Sequence, residues 1–187
     1  MILFVCEGNV CRSPVAEAAL RSHLAGLVNP PLIGSAGTRA LVGASADAGT
    51  VAVAAKAGID LSGHRARQLD RELAASATVL LTASRRIRSD VVSLHPPAIQ
   101  YVFTLRQLAR ILDGFDPPAA VPDAEQRLAD VRAYAVQHRG LRAVADPSAD
   151  DVVDPYRRAS KVHEESIAQI LPAVAVLARA LGGRPTG

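Results

Sequence analysis

A cysteine and an arginine close to the amino terminus have the spacing of a site that binds and attacks an oxyanion. Cys6 ends an apolar run, and Arg12 follows it after the five residues Glu-Gly-Asn-Val-Cys. A loop of this length between a strand and a helix can direct successive backbone N–H groups, and the positive end of the helix, toward one point. The spacing therefore predicts a phosphate-binding loop made of Glu7, Gly8, Asn9, Val10, Cys11, Arg12 and Ser13.

Two side chains of this loop carry the predicted chemistry. The planar, permanently charged guanidinium of Arg12 can bind two phosphoryl oxygens at once. The same positive surroundings favour a thiolate at Cys6, which can attack phosphorus and form a phosphocysteine. Gly8 supplies backbone freedom in the tight loop, and Asn9 readily adopts a left-handed conformation. We therefore predict Cys6 as the nucleophile and Arg12 as the residue that binds the phosphoryl group.

The predicted reaction also needs an acid, because the leaving oxygen must be protonated and the attacking water later deprotonated. A carboxylic acid can do both. Three Asp-Pro pairs occur downstream, and they begin with Asp116, Asp146 and Asp154. Since Asp before Pro commonly begins a turn, the dipeptide alone does not distinguish an acid from a turn residue.

These residues lie in a chain whose predicted strands and helices alternate. Predicted strands cover residues 2–6, 32–35, 78–82 and 99–103. Predicted helices cover residues 46–57, 84–94, 105–112, 124–138 and 158–181, and one more begins with Ser13 as its N-cap and Pro14 at its first position. The alternation predicts an α/β fold with a single domain of three layers, in which helices flank a central, mainly four-stranded parallel sheet. Ligands of such folds bind beyond the carboxyl ends of the strands.

The extended loop sequence Val-Cys-Glu-Gly-Asn-Val-Cys-Arg-Ser-Pro, residues 5–14, resembles the signature of the low-molecular-weight protein tyrosine phosphatases. Three further segments are similar to later landmarks of that family, namely Ser35-Ala36-Gly37-Thr38, Gly58-Ile59-Asp60 with His64, Arg67 and Leu69, and Asp154-Pro155-Tyr156. They occur in the family's order over most of the chain. The resemblance implies a phosphatase that hydrolyses phosphate monoesters, with protein phosphotyrosine as the default substrate, through a phosphocysteine intermediate.

The same resemblance assigns the acid and one wall of the cleft. Asp154 is the implied acid, because only this Asp-Pro pair precedes an aromatic residue and the final helix. Tyr156 would line the substrate cleft. The family often has a further aromatic residue beside it, and Arg157 occupies that position here.

Three polar residues receive supporting roles from the resemblance. Ser13 would donate its hydroxyl to the thiolate of Cys6. Asn9 and Ser35 would form a hydrogen bond with each other and hold the loop open without touching phosphorus.

Other functions remain open alongside the phosphotyrosine phosphatase. Phosphoarginine and small phosphate esters are substrates that similar loops accept. An arsenate reductase-like enzyme would need further cysteines to move a disulfide outward, and the chain has none after Cys11. A catalytically inactive phosphate or phosphoprotein sensor is the alternative from the class of binding proteins.

Cys11 lies in the same tight loop as Cys6, so the two are candidates for a reversible disulfide after oxidation by peroxide. Cys11 is thus a candidate redox partner. The alternative is that Cys11 only packs the loop.

Glu7 places an anion where relatives usually have a neutral residue. One interpretation is that Glu7 selects substrates with positive charge beside the phosphate. The other is that Glu7 turns to solvent or pairs with an arginine, such as Arg65, Arg67 or Arg157, and has no effect on substrate binding.

We expect one phosphatase domain over residues 1–182 and a flexible tail at 183–187. Within the domain, residues 113–149 form an extended helix and loop region that makes the chain longer than typical relatives. Pro172 is expected to kink the last helix.

Composition narrows the classes of partner. The chain has 187 residues, a formal net charge of +3 and 3% aromatic residues. Its basic clusters lack interleaved aromatic residues for base stacking, so nucleic-acid binding is not expected. The apolar run at the amino terminus is too short for a signal sequence or a membrane span. The expected partners are a phosphorylated protein or a small phosphate ester, with inorganic phosphate or a similar oxyanion in the loop; the oligomeric state is left open.

The number and spacing of cysteines and histidines argue against a disulfide framework and against a metal site. Two cysteines in 187 residues favour a reducing cytoplasm over a disulfide framework. The five histidines are scattered without the spacing of metal ligands, so no metal site is predicted. Neither glycine-rich nucleotide motif occurs, and no cofactor is expected.

Overall fold

Four short apolar segments form one parallel sheet in the computed structural model, which describes residues 1–116, 123–141 and 144–183. The strands are β1 (Ile2–Cys6), β2 (Ile33–Gly37), β3 (Val79–Thr82) and β4 (Val102–Thr104). They lie in the order β2-β1-β3-β4, and each neighbouring pair is parallel. Every strand residue is buried, as expected for a parallel sheet covered on both faces.

Seven α-helices connect and cover these strands in the described part of the chain. They are α1 (Arg12–Leu24), α2 (Ala48–Lys56), α3 (Arg71–Ala75), α4 (Arg85–Leu94), α5 (Leu105–Leu112), α6 (Ala124–His138) and α7 (Ser160–Ala180). Single 3₁₀ turns cover Pro96–Gln100 and Pro147–Asp150. No described helix is long and apolar enough to span a membrane.

Alternate residues of β1 face two separate hydrophobic cores. Phe4 packs into the core that includes side chains of α1, α5 and α7. Leu3 and Val5 face the opposite way, into the core that includes side chains of α3 and α4. The predicted three-layer α/β fold with a four-stranded parallel sheet is confirmed.

The first helix begins one residue earlier than the predicted cap at Ser13. Cys11 occupies the N-cap position without a side-chain capping bond, and α1 starts at Arg12. The prediction of Ser13 as N-cap is wrong, because its hydroxyl is 3.0 Å from the sulfur of Cys6 and donates there. Pro14 therefore lies within the first turn, where its missing N–H group still costs no helical hydrogen bond.

Other elements also differ from the prediction, most of them by one or two residues at an end. β2 is shifted and runs to Gly37, which pairs with Cys6. β4 begins at Val102 because the preceding residues form the 3₁₀ turn that starts at Pro96. The short helix α3 was not predicted, and Asp70 caps it by accepting from Leu73 N at 2.7 Å.

The extended region contains the predicted helix 124–138, which is α6. Leu128, Val131 and Ala135 of α6 are buried in the core that contains Phe4. Residues 117–122 and 142–143 of the region, and 184–187 of the expected tail, lie outside the described residues. The last helix, α7, continues through Pro172.

Candidate active site

The loop that follows β1 is encircled by hydrogen bonds to its carbonyl oxygens. Five consecutive carbonyls, those of residues 6–10, accept in order from Thr38 N, Arg39 N, Leu41 N, His64 Nε2 and Asp47 N, at 3.0, 2.9, 3.0, 2.7 and 2.8 Å. All peptide bonds in the described residues are trans, so each N–H points away from the carbonyl before it. The N–H groups of residues 7–11 therefore turn inward and form an anion-binding concavity.

Asn9 holds the loop in this shape. Its backbone is left-handed, with φ of +55°, and its side chain is fully buried. The amide nitrogen Nδ2 donates to Ser13 Oγ and to Ser35 Oγ, both at 2.9 Å. The amide oxygen accepts from Arg67 N at 2.8 Å. The predicted bond between Asn9 and Ser35 is therefore present, and the Asn9 side chain uses both its donor and its acceptor groups.

The sulfur of Cys6 accepts two hydrogen bonds at the base of the loop. Asn9 N donates at 3.2 Å, and the hydroxyl of Ser13 donates at 3.0 Å. Since the oxygen of Ser13 accepts from Asn9, its proton is available for the sulfur. Two donors aimed at one sulfur stabilise negative charge on it.

Gly37 is a residue of this site to which sequence reasoning gave no role. A Cβ at this position would lie 2.4 Å from the carbonyl oxygen of Glu7 and 3.0 Å from Asn9 N. Only glycine allows β2 to approach the loop this closely. The signal was its place at the end of the strand that pairs with β1.

Arg12 and Asp154 meet across the mouth of the loop. Arg12 Nη2 lies 2.8 Å from Asp154 Oδ2, and Arg12 Nη1 donates to the carbonyl of Val152 at 3.3 Å. Arg12 is 6% exposed, whereas Asp154 is 46% exposed. The two charges come from opposite ends of the chain and face one pocket.

This pocket has a volume of about 300 Å³ and contains most of the predicted site residues. It is lined by Cys6, Glu7, Gly8, Val10, Cys11, Arg12, Arg39, Leu41, Asp154 and Tyr156. Asn9, Ser13 and Ser35 support the loop from behind. Arg39 and Leu41 follow β2 and were missed by sequence reasoning; their signal was that β1 and its neighbour end at the same edge of the sheet.

The other two Asp-Pro carboxylates do not line the pocket. Asp146 caps the turn Pro147–Asp150 and accepts from Ser148 Oγ at 2.6 Å and from Ser148 N at 2.9 Å. These hydrogen bonds lower the pKa of Asp146 below its usual value, and the bond from the Ser148 hydroxyl has the larger effect. Asp116 is exposed. Of the three predicted alternatives, the structure brings only Asp154 to Cys6 and Arg12.

Tyr156 lines the pocket near the acid, and Arg157 packs against it. Arg157 has a positive φ of 57°, and its guanidinium lies 5.1 Å from the centre of the Tyr156 ring. Arg157, at the position where the resemblance implies a second aromatic residue, therefore contacts Tyr156.

Glu7 is held between two arginines at the rim of the pocket. Its Oε1 is 3.1 Å from Arg39 Nη1, and its Oε2 pairs with Arg86 Nη2. These arginines follow β2 and β3, the strands on either side of β1, so they flank Glu7.

The interpretation that Glu7 pairs with an arginine is confirmed, but the three arginines given as examples are wrong, because each is bound elsewhere. Arg67 donates through Nε to the carbonyl of Ser35, and Arg65 donates to the carbonyl of His64. Arg157 contacts the ring of Tyr156.

Cys11 lies in a buried polar network below the loop. Burial raises the pKa of its thiol to about 12, although a hydrogen bond with Thr50 opposes this. Thr50 Oγ1 is 3.0 Å from His163 Nδ1, and His163 Nε2 is 3.7 Å from Asp47 Oδ1. No sequence spacing links His163 to Cys11, so the sequence alone shows His163 only as one of five scattered histidines. The described residues contain no cluster of three or more potential metal ligands.

One family model and two relatives are similar to this chain over most of its length. The family model described as "Low molecular weight phosphotyrosine protein phosphatase" matches residues 1–123. The chain is 39% identical over 142 residues to a Ralstonia nicotianae protein named "Probable low molecular weight protein-tyrosine-phosphatase EpsP", covering 76% of this chain and 91% of the relative. It is 33% identical over 144 residues to the low molecular weight protein-tyrosine-phosphatase Wzb of Escherichia coli K12, covering 75% and 90%.

Two solved structures share the fold along nearly the whole chain. The YwlE arginine phosphatase from Geobacillus stearothermophilus has a TM-score of 0.70 at 26% identity, covering 97% of this chain and 92% of the other. The tyrosine phosphatase Wzb from Escherichia coli K30, in complex with sulphate, has a TM-score of 0.70 at 24% identity, covering 97% of both chains.

Proposed function

Since the chain belongs to the low molecular weight phosphotyrosine protein phosphatase family, we propose that it hydrolyses phosphotyrosine in protein substrates through a phosphocysteine intermediate on Cys6. The observation that carries the proposal is the meeting of three groups at one pocket. Cys6 Sγ lies at the base of five inward N–H groups, and Arg12 and Asp154 face it from the mouth.

In the first step, the phosphoryl group enters the loop and its peripheral oxygens accept from the inward N–H groups. Arg12 exchanges Asp154 for two phosphoryl oxygens. Once released from Arg12, Asp154 takes up a proton from solvent. The sulfur of Cys6 forms a bond to phosphorus as the bond to the phenolic oxygen breaks, and Asp154 gives this proton to that oxygen. The products are the phenol and a phosphocysteine.

In the second step, the carboxylate of Asp154 removes a proton from a water molecule that attacks phosphorus. The S–P bond breaks, and inorganic phosphate and the thiolate of Cys6 are formed. The hydroxyl of Ser13, which donates to Sγ at 3.0 Å, stabilises the departing thiolate.

The walls of the pocket favour an aromatic leaving group. Val10, Leu41 and Tyr156 present apolar surface beside the loop. A ring packs well there, whereas a guanidinium needs a carboxylate or other acceptor. Glu7 is already paired with Arg39 and Arg86, and Asp154 is required as the acid.

Phosphoarginine is the second candidate substrate, because a structural relative at 26% identity is named an arginine phosphatase. An arsenate reductase-like reaction is less well supported, since both cysteines lie in the loop and none is available to carry a disulfide outward. A sensor without activity would not need an acid beside the loop.

The test is turnover of three peptides of one sequence that carry phosphotyrosine, phosphoserine or phosphoarginine. We expect kcat/KM for phosphotyrosine to exceed the other two values by about a hundredfold, because only phosphotyrosine has an aromatic ring that fills the space between the apolar walls and a phenolic leaving group. A larger kcat/KM for phosphoarginine would overturn the substrate assignment. Rapid denaturation during turnover, followed by peptide mass analysis, should find a phosphoryl group on the peptide that contains Cys6; Cys6→Ser is the control.

A further inference from the structure

The four residues before Asp154 form hydrogen bonds and an ion pair with other elements of the fold. We name residues 150–154 the acid loop. Asp150 is buried and forms an ion pair with Arg110, with Asp150 Oδ1 and Arg110 Nη2 2.7 Å apart. Arg106 Nη1 donates to the carbonyl of Asp151 at 2.8 Å. Arg106 and Arg110 are four positions apart on α5, so one helix face holds the start of the acid loop.

The remaining anchors come from other elements. Asp151 Oδ1 accepts from Arg85 N at 2.7 Å, and Val152 N donates to the carbonyl of Ala83 at 2.8 Å. Val153 N donates to Gln169 Oε1 at 2.9 Å. Each residue from 150 to 153 therefore has a fixed partner, and Asp154 is the first residue of the acid loop whose side chain is largely exposed.

The pair Arg110 and Asp150 also closes the base of the extended region. Arg110 lies just before residues 113–149, and Asp150 lies just after them. Their ion pair joins the two ends of the extended region.

We propose that Arg110, through Asp150, and Arg106, through the carbonyl of Asp151, are positioning residues for the carboxyl of Asp154. The inference rests on the proposed function, in which Asp154 protonates the leaving oxygen. A general acid acts only within hydrogen-bonding distance of the atom it protonates, and a displacement of about 1 Å can slow a reaction about a hundredfold. Displacement of the acid slows only those substrates whose leaving oxygen must be protonated. Arg110 and Asp150 therefore determine how strongly the rate depends on the leaving group.

The experiment compares Arg110→Gln, Asp150→Asn and Arg106→Lys with the unmodified protein on 4-nitrophenyl phosphate and phenyl phosphate. We expect kcat/KM for phenyl phosphate to fall about tenfold to a hundredfold in Arg110→Gln and Asp150→Asn. The value for 4-nitrophenyl phosphate, whose leaving group needs little protonation, should fall less than about threefold. Inorganic phosphate should inhibit at least as strongly as it inhibits the unmodified protein, because the phosphate-binding loop is untouched and a displaced Asp154 competes less for Arg12.

Two further variants make the outcome specific. Arg21→Gln removes an ion pair with Glu17 on α1, which is remote from the acid loop. This variant should leave kcat/KM unchanged for both substrates. The charge-swapped variant with Arg110→Asp and Asp150→Arg should recover most of the phenyl phosphate activity. If Arg110→Gln fails to fold, Arg106→Lys, which alters one hydrogen bond, carries the test.

Asp154→Asn separates failure of this inference from failure of the proposed function. If Asp154→Asn slows phenyl phosphate selectively and the arginine variants do not, the positioning role is wrong and the acid stands. If Asp154→Asn itself shows no such selectivity, the acid and the positioning role fall together. An equal loss on both substrates, or a weakened phosphate inhibition, would show a structural role and would overturn positioning.

Discussion

Arg12 and Asp154 bind each other at 2.8 Å, although the proposed reaction gives each of them a different partner. Arg12 must bind phosphoryl oxygens, and Asp154 must reach the leaving oxygen. Substrate binding therefore exchanges one ion pair for two new contacts. Because Asp154 is 46% exposed, solvent screens its carboxylate. Breaking its ion pair with Arg12 therefore costs little free energy.

The first prediction follows from this exchange. Asp154→Asn should lower kcat/KM for substrates with poor leaving groups about a hundredfold or more, the usual scale of general-acid catalysis. Phosphate should bind at least as tightly as in the unmodified protein, because Arg12 loses a competing anion. Steady-state kinetics and phosphate inhibition measure the two effects. Asp146→Asn is the matched control, since Asp146 caps a turn away from the pocket; a larger loss in that variant would reassign the acid.

The second prediction concerns the nucleophile. Cys6→Ser should abolish turnover and leave phosphate or vanadate binding largely intact, because backbone N–H groups and Arg12 form the anion site. Equilibrium dialysis with labelled phosphate measures binding without turnover. Substantial residual activity in Cys6→Ser would rule out the covalent mechanism.

The loop was predictable from the sequence because it is contiguous. Residues 6–13 contain the sulfur, the inward N–H groups and the guanidinium, so a local spacing defines the site. The partners of Glu7 were not predictable in this way, because Arg39 and Arg86 are 32 and 79 positions away and only the strand order brings them together. The same holds for His163, which is 113 positions from Thr50.

Ser13 illustrates a different limit of local reasoning. Its residue type and the following proline are typical of a helix cap, and that preference is local. The hydroxyl is instead bound between Asn9 and Cys6, so the demands of the site override the capping preference. The choice of Asp154 depended on the resemblance to a family, because turn chemistry is common to all three Asp-Pro pairs.

The third prediction concerns Glu7. Glu7→Thr removes an anion from the rim and releases Arg39 and Arg86 to face the pocket. At about 6 to 8 Å from a phosphate dianion, with partial screening, the removed repulsion is about 1 kcal/mol. We therefore expect kcat/KM for a simple aryl phosphate to rise severalfold and any preference for basic peptides to shrink.

Glu17→Thr is the matched control for Glu7→Thr, because Glu17 pairs with Arg21 on the surface of α1. This variant changes the net charge equally without changing the rim. If both variants gave the same kinetics, the effect would come from overall charge. Unchanged values in Glu7→Thr would leave Glu7 without a role in substrate selection.

The last prediction concerns Cys11 and oxidation. Peroxide converts the thiolate of Cys6 to a sulfenic acid, and attack by the sulfur of Cys11 then forms a disulfide and releases water. The attacking species is a thiolate, and burial places the pKa of Cys11 at about 12. Below that pKa, the thiolate fraction rises about tenfold for each pH unit, so disulfide formation should be slow at pH 6.5 and faster at pH 8.5.

Activity recovered with dithiothreitol after a peroxide pulse measures this protection. We expect the recovered fraction of the unmodified protein to rise with pH and that of Cys11→Ser to stay lower at each pH. Thr50→Val is the matched control within the buried network, because it removes the hydroxyl that bonds the Cys11 thiol and keeps both cysteines. Since that hydrogen bond lowers the pKa of Cys11, its loss should shift the rise in recovery to higher pH. Equal recovery by the unmodified protein and Cys11→Ser would leave Cys11 as a packing residue of the loop.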